Sequence, residues 1–271
     1  MKKIALILLI SLIGVSSFAQ KKEKEKKKSK KELKAEAEAM KNKVLLRYSL
    51  KKGESYEQTM ENESKVQVMG MDVLVIQKTS TKNLITDVDA SGNLSMEITT
   101  ENFYIKQSLP MGEMEYDSED ASKQSPELIE QFGKVKGTKV TMKISPTGKT
   151  LETDKNLSMP SGSNQFPEKA VGVGDTWEMS STSKNQMLGN KEMTSNNQYK
   201  LVERTGGRAI IEVTGKVISE GKEIGSFSGK MTIEEATGIV LESNILQKMN
   251  TEIQGMEAQV EANIKLKGKK L

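Results

Sequence analysis

The chain reads as an all-β protein with minor α content: a curved antiparallel sheet or half-barrel with a short helix packed on it. Three observations predict this. Apolar and polar residues alternate in segment after segment, as in Leu94, Met96 and Ile98 against Ser95, Glu97 and Thr99; a period of two marks strands with one buried face and one wet face. Turn residues separate those segments at regular intervals. Aromatic residues make up only 4% of the chain while methionines number 16, so flexible thioether side chains must share in filling the apolar face.

The first nineteen residues have the grammar of a secretory signal peptide. Met1-Lys2-Lys3 supplies a basic start, Ile4 to Val15 an apolar run, and Ser17-Phe18-Ala19 a small-x-small exit before Gln20. The run is about a dozen residues, well short of the roughly twenty that a spanning helix needs. Cleavage near Ala19 is therefore expected, with the mature chain periplasmic or secreted. Gln20 stands where a bacterial lipoprotein would carry an acylated Cys, so no lipid anchor is expected.

Residues 20–43 form a lysine-rich arm. From Lys21 to Lys43 eleven lysines stand against five glutamates, in a chain of 41 basic and 37 acidic residues, which leaves the body slightly acidic. No apolar residue interrupts the arm before Leu33, so it cannot bury itself and is expected to be solvated. Lys31 to Met40 is rich in helix formers and predicts a frayed helix. The arm has two readings: electrostatic contact with an anionic envelope surface through Lys21 to Lys31, or a solubilising spacer.

Residues 44–271 carry the strands. Leu46, Tyr48 and Leu50 alternate with polar neighbours, as do Val140, Met142 and Ile144, Ile211 and Val213, and Val260, Ala262, Ile264 and Leu266; Phe227, Met231 and Ile233 share one parity. Turn chemistry falls at Lys52-Gly53, Asp89 to Asn93, Ser145 to Gly148, Thr205-Gly206-Gly207 and Thr237-Gly238. One helix interrupts the series. Ser125 is placed as N-cap, Pro126 and Glu127 in the first turn and Gly133 as the stop, with Leu128, Ile129 and Phe132 on one face. Met111 to Lys123 is polar and acidic and reads as a loop. Asn156 to Ala170, with two prolines and a glycine, divides the body into 44–155 and 166–271.

The two sides of that divide echo each other. Lys52-Gly53-Glu54-Ser55-Tyr56 matches Val173-Gly174-Asp175-Thr176-Trp177: glycine, acid, hydroxyl, aromatic. Met69-Gly70 and Met187-Leu188-Gly189 follow, and each side ends in an alternating strand before a Thr-Gly turn. A duplicated meander accounts for this, and so does the grammar common to any two meanders. Glycine accepts positive φ at such a turn, and the acid following it can accept from nearby backbone N–H groups.

Histidine and cysteine are both absent. Triads built on His, zinc sites and disulfides are thereby excluded, and no cofactor is expected. An enzyme would have to work with carboxylates, Lys, Tyr or Ser. Met69-Gly70-Met71 and Met111 to Met114 offer soft ligands for Cu(I) but lack Cys or His to complete a site. The acidic run Glu113 to Asp120 lacks the order of a calcium loop and reads as solvated surface. Basic residues of the body are interspersed with acids, which leaves no footprint for nucleic acid.

From Phe166-Pro167 through Val173-Gly174-Asp175-Thr176-Trp177, the chain resembles an uncharacterised family of exported β-rich bacterial proteins. Leu46-Arg47-Tyr48 and Lys51 to Tyr56 fit the same pattern. That family carries no established activity, so the resemblance transfers no site residues. More distantly, the expected architecture is similar to the half-barrels of periplasmic lipoprotein carriers.

The function expected is non-catalytic: an apolar or amphiphilic ligand held between sheet and helix, with Tyr56, Met96, Met142, Trp177 and Met231 as candidate lining residues. The same residues suit a filled core, and the rival reading is a structural or interaction protein of the cell envelope. A hydrolase acting through paired carboxylates is the third alternative.

Overall fold

The computed structural model describes residues 42–154, 165–185, 191–253 and 256–271. The signal peptide, the arm up to Lys41, the divide from 155 to 164 and the Met187-Leu188-Gly189 step lie outside them. Twelve strands form one antiparallel sheet: β1 (Ser55–Val68), β2 (Met71–Val88), β3 (Leu94–Leu109), β4 (Gly112–Asp117), β5 (Lys139–Ile144), β6 (Thr150–Thr153), β7 (Thr176–Asn185), β8 (Lys191–Thr205), β9 (Arg208–Ser219), β10 (Lys222–Glu234), β11 (Val240–Ile253) and β12 (Met256–Lys270). Their spatial order is β6-β5-β3-β2-β1-β12-β11-β10-β9-β8-β7, with β4 added to β3. The sheet is open, because β6 and β7 at its two ends do not pair.

Burial alternates along almost every strand. On β2, Val73, Val75, Gln77, Thr79, Thr81, Asn83 and Ile85 are buried, while Leu74, Lys78, Lys82 and Leu84 are exposed. Among the described residues, one seven-residue helix and one extended segment are available to cover the buried face, so the sheet covers it by curling on itself, as twisted sheets of many strands do. The outer face carries charge instead, in pairs such as Lys65–Asp72 (2.8 Å), Lys230–Glu212 (3.1 Å) and Lys248–Glu261 (2.6 Å). That is the reverse of a lipid-facing strand surface.

The up-and-down course gives the molecule two unlike ends. The turns β1–β2, β3–β4, β7–β8, β9–β10 and β11–β12 lie at one end, here called the mouth. The remaining turns lie at the other, the floor. Asn42 to Leu50 crosses the floor as an extended strap, which corrects the expectation of a strand at Leu46 to Leu50. Val44 bridges Val171, the Tyr48 N–H donates to Pro146 O (2.8 Å) and the Ser49 N–H to Thr237 O (3.0 Å). These bonds use the backbone that a ladder would need, while Leu46, Tyr48 and Leu50 still bury alternate side chains against the end of the core. Phe166 packs on Tyr48 with ring centres 5.1 Å apart.

The helix α1 (Pro126–Phe132) lies on the inner face beside β3 and β4. Phe132 stacks on Phe103 at 4.9 Å and Tyr116 closes the cluster at 6.4 Å. Two details differ from expectation. The Ser125 hydroxyl makes no cap bond and accepts from the Glu115 N–H instead (3.0 Å), and Ile129 is exposed, so only Leu128 and Phe132 anchor the helix. Met111 to Lys123 is not a loop. It contains β4, held by the buried Tyr116 opposite Ile105 and by Glu113 paired with Lys106 (2.8 Å). Charged side chains on the outer face hid the single inward anchor.

Gly238 is where the strap and the sheet meet most tightly. Its φ is +75°, and a Cβ there would overlap the carbonyl oxygen and carbon of Arg47. Gly206 has φ +55° and open space around it. We predict that Gly206→Ala costs about 1 kcal/mol, the strain of a left-handed residue, and that Gly238→Ala costs upwards of about 2 kcal/mol because backbone must also move. Urea unfolding of the two variants measures the difference. Leu46→Ala, at a site with no exposed surface, is expected to cost about 2–4 kcal/mol.

Candidate functional site

Two turns at the floor share one hydrogen-bond pattern, and they fasten the sheet to the strap. Gly53 (φ +87°) donates to Ile85 O at 2.8 Å, and Gly174 (φ +95°) donates to Leu201 O at 2.7 Å. The Ile85 and Leu201 N–H groups donate back to the carbonyls of Glu54 and Asp175. Each acid also closes its own turn: Glu54 Oε2 accepts from the Lys51 N–H (2.8 Å) and Asp175 Oδ2 from the Gly172 N–H (2.9 Å). Register shifts follow at the matching places, after Ile85 and after Leu201. Tyr56 and Trp177 then open β1 and β7 on the inner face.

A basic partner sits beside each acid. Lys270 reaches Glu54 (2.8 Å) and Lys43, counted with the arm in the sequence, reaches Asp175 (2.9 Å). Nearby, Arg204 grips Glu235 through two bonds (2.7 and 2.9 Å) and donates a third to Asn42 O. These residues line a shallow groove of about 710 Å3 where the strap begins. The Gly172 N–H and Lys43 hold the Asp175 carboxyl below its ordinary value, and Arg204 does the same for Glu235.

The inner face brings the five candidate lining residues onto one side of the sheet, in separate groups. Tyr56 places its hydroxyl 4.0 Å from the Met96 sulfur, and Met96 lies opposite Met142. Burial pushes the Tyr56 phenol well above its ordinary value. Trp177 stacks on Tyr199 (5.4 Å, 9°) across β7 and β8. Met231 lies between Ile211 and Ser243. All five sit towards the floor and fill space among other core side chains.

Nearer the middle of the strands the inner face carries a belt of neutral polar residues. Ser64, Gln107, Gln247 and Asn197 share one register row across the sheet, with Asn62 and Gln77 in the next. None of the buried polar residues described is charged. Side-chain hydrogen bonds of the belt run to second neighbours along the same strand, Ser64 to Asn62, Gln77 to Thr79, Asn83 to Thr81, Asn197 to Tyr199 and Gln247 to Met249, and Asn83 Nδ2 also donates to Tyr56 O on the neighbouring strand (3.5 Å). Gln77 Oε1, Gln107 Nε2, Ser181 Oγ, Ser195 Oγ and Asn197 Oδ1 are buried without a partner among the described residues. The belt is the polar part of an otherwise apolar interior.

The belt was passed over in the sequence because alternation was followed through apolar residues alone. Its signal is present all the same. In Val73-x-Val75-x-Gln77-x-Thr79-x-Thr81-x-Asn83-x-Ile85, four polar residues hold the parity of the core.

At the mouth, an open groove of about 980 Å3 lies among the tips of three hairpins, lined by Met69, Ser219, Lys222, Ile224, Thr251 and Met256 with their neighbours. Met69 and Met71 are exposed at the first of these hairpins, and Met111 is exposed at the separate β3–β4 turn. The groove borders the row that holds Met193 and Ser219, one inward position above Ser195. No group of three or more carboxylates able to hold a metal occurs among the described residues, and Glu113 and Glu119 in the acidic run are paired with Lys106 and Lys136.

A family model described as a family of unknown function (DUF6263) matches residues 91–159 and 156–270. The chain belongs to that family. The DUF6263 matches include Met96, Met142, Trp177 and Met231, the floor turn at Gly174-Asp175 and the belt residues Gln107, Ser181, Ser195 and Asn197; Tyr56 and Gln77 lie before them. No curated protein matches the chain.

The floor latch gives a pH prediction. Asp175 and Glu235 have folded-state values below their ordinary 3.8 and 4.5. Their contribution is therefore complete above those values and is lost as the pH falls below them. The variant carrying Asp175→Asn and Glu235→Gln is expected to be less stable at neutral pH and to lose less stability between about pH 5 and about pH 3. Emission of Trp177, the one tryptophan of the chain, reports both curves.

Proposed function

We propose that the chain is an exported, non-catalytic binding protein that takes an apolar or amphiphilic ligand through the mouth of its sheet. The observation that carries this reading is the one-ended architecture. The strap, Phe166 and the fastened turns close over the floor, while the mouth keeps an open groove lined by the exposed Met69 and the half-buried Ile224 and Met256. Unbranched thioether side chains adapt to irregular apolar shapes, and exposed apolar residues gathered at a groove mark a place of contact. The charged outer face suits a protein that travels in water.

A second reading is supported by the packing. Val66, Val75, Ile105 and Val217 have no exposed surface, as suits an envelope interaction protein with a filled core. In that case the lysine arm Lys21 to Lys31, meeting an anionic surface, is the working part.

Native mass spectrometry separates the two. Protein purified from the cell envelope is expected to carry an added mass that gas-phase activation releases, and refolded protein is expected to lack it. The apo mass from both preparations would remove the binding reading. For the second, removal of Lys21 to Lys31 is expected to release the protein from anionic vesicles as added salt does.

A further inference from the structure

We infer that the hydrocarbon tail of the ligand lies against the inner face of β11, β12 and β1, in an apolar space walled by Met60, Ile245, Ile264 and Leu266. The inference rests on the binding reading above and gives that reading its site: an alkyl or acyl chain held deep in the curl, on the floor side of the row that contains Ser64 and Gln247.

Parity and exposure together locate the space. Along β12, Ala258, Val260 and Ala262 are buried, yet Ile264 and Leu266, of the same inward parity, are only half-buried. Gln58 and Met60 on β1 are half-buried as well, and so are Ser243 and Ile245 on β11. The register makes these one patch: Leu266 lies opposite both Met60 and Ser243, and Ile264 lies opposite Ile245. Neighbouring strands are about 5 Å apart, and the three rows from Gln58 to Ile264 cover about 13 Å along them. Buried residues surround the patch on the inner face: Thr79 on β2, Met231 on β10, Tyr56 towards the floor, and Ala262 and Gln247 towards the mouth. Side chains that keep accessible surface inside such a ring border room that no side chain fills.

The number of strands accounts for the room. A wall of about eight strands is just filled by its own side chains, and this sheet curls with eleven in line. The chemistry of the walls selects the occupant. Four of the six half-buried side chains are apolar, Gln58 and Ser243 add one amide and one hydroxyl, and no charged residue holds the inward parity in these rows. Apolar walls offer water no hydrogen bonds, so a hydrocarbon gains by replacing it there. β11 and β12 continue from the patch to the mouth groove, which Thr251, Met256 and Ala258 line. A tail in the space therefore points its headgroup past Gln247 towards the mouth.

The test fills the space. In the full mature protein, Ile264→Phe and Leu266→Phe are compared with Val260→Phe, a site on the same strand with 1% of its surface exposed. Binding of N-phenyl-1-naphthylamine, and its displacement by 1-dodecanol and 1-monododecanoylglycerol, gives the affinities. Urea unfolding followed by Trp177 emission gives the stability. Ile264→Phe and Leu266→Phe are expected to keep or raise the urea midpoint and to weaken all three probes at least about tenfold, the loss of about two buried methylenes. Val260→Phe, which overpacks a filled part of the core, is expected to lower the midpoint. Midpoints lowered as far at 264 and 266 as at 260 overturn the inference, because the patch is then filled core. Unchanged midpoints with unchanged affinities also overturn it and leave the binding reading standing, with the ligand held elsewhere. If the unaltered protein binds none of the three probes, the binding reading itself falls.

Discussion

The ladder between β1 and β12 runs through thirteen residue pairs, from Tyr56 opposite Lys270 to Val68 opposite Ala258, without a register shift. It joins the first strand of the sheet to the last, and the rest of the architecture depends on it. Without that ladder the chain would be two meanders, each with an apolar face and a bare central edge. With it, one sheet carries eleven strands in line and buries its inner face by curling, because the described residues include no second layer large enough to cover it. The pairing also ties the Leu271 N–H to Ser55 O at the floor, so the end of the chain closes the same wall that β1 begins.

Curling has two consequences for function. Strand direction alternates around the sheet, so all turns fall at two ends, and these ends have been built differently. The floor is tied by backbone bonds from the strap and by carboxylates that accept from their own turns. The mouth carries Gly70, Gly112 and Gly221 at its described turns, with Met69, Met71 and Met111 exposed there. A wall made this way divides charge from apolar surface, with lysine–glutamate pairs outside and methyl and thioether groups inside. The neutral belt is the polar exception inside.

Much of the fold was legible in the sequence because alternation of period two has a direct physical cause in the pleat. Met96, Met142 and Met231 were placed on the inner face by parity alone, and the glycine–acid turns by their chemistry. Where parity was not accompanied by backbone pairing the reading went astray. Leu46, Tyr48 and Leu50 alternate as a strand does, yet the Tyr48 and Ser49 N–H groups go to Pro146 O and Thr237 O, and only tertiary structure decides that. β4 was hidden for the opposite reason: Glu113, Glu115 and Asp117 face outward and mask Tyr116, its one buried anchor. The belt was missed because Gln77, Thr79, Thr81 and Asn83 do not look like core until the neighbouring strands show which way they point. The five candidate residues share one face, and the belt lies between them and the mouth.

The most direct test of a one-ended, inward-neutral sheet uses the absence of cysteine from the chain. Single cysteines at Thr251, Gln247 and Ser243 occupy every second inward position on β11 from mouth to floor, and Leu246 supplies an outward control. Reaction rates with a small maleimide, measured with and without 1-monododecanoylglycerol, map access along the interior. The account predicts the fastest reaction at Leu246, a steady fall from Thr251 to Ser243, and protection of Gln247→Cys by the monoglyceride. Equal rates at the three inward positions, or a faster reaction at Ser243 than at Thr251, would contradict it.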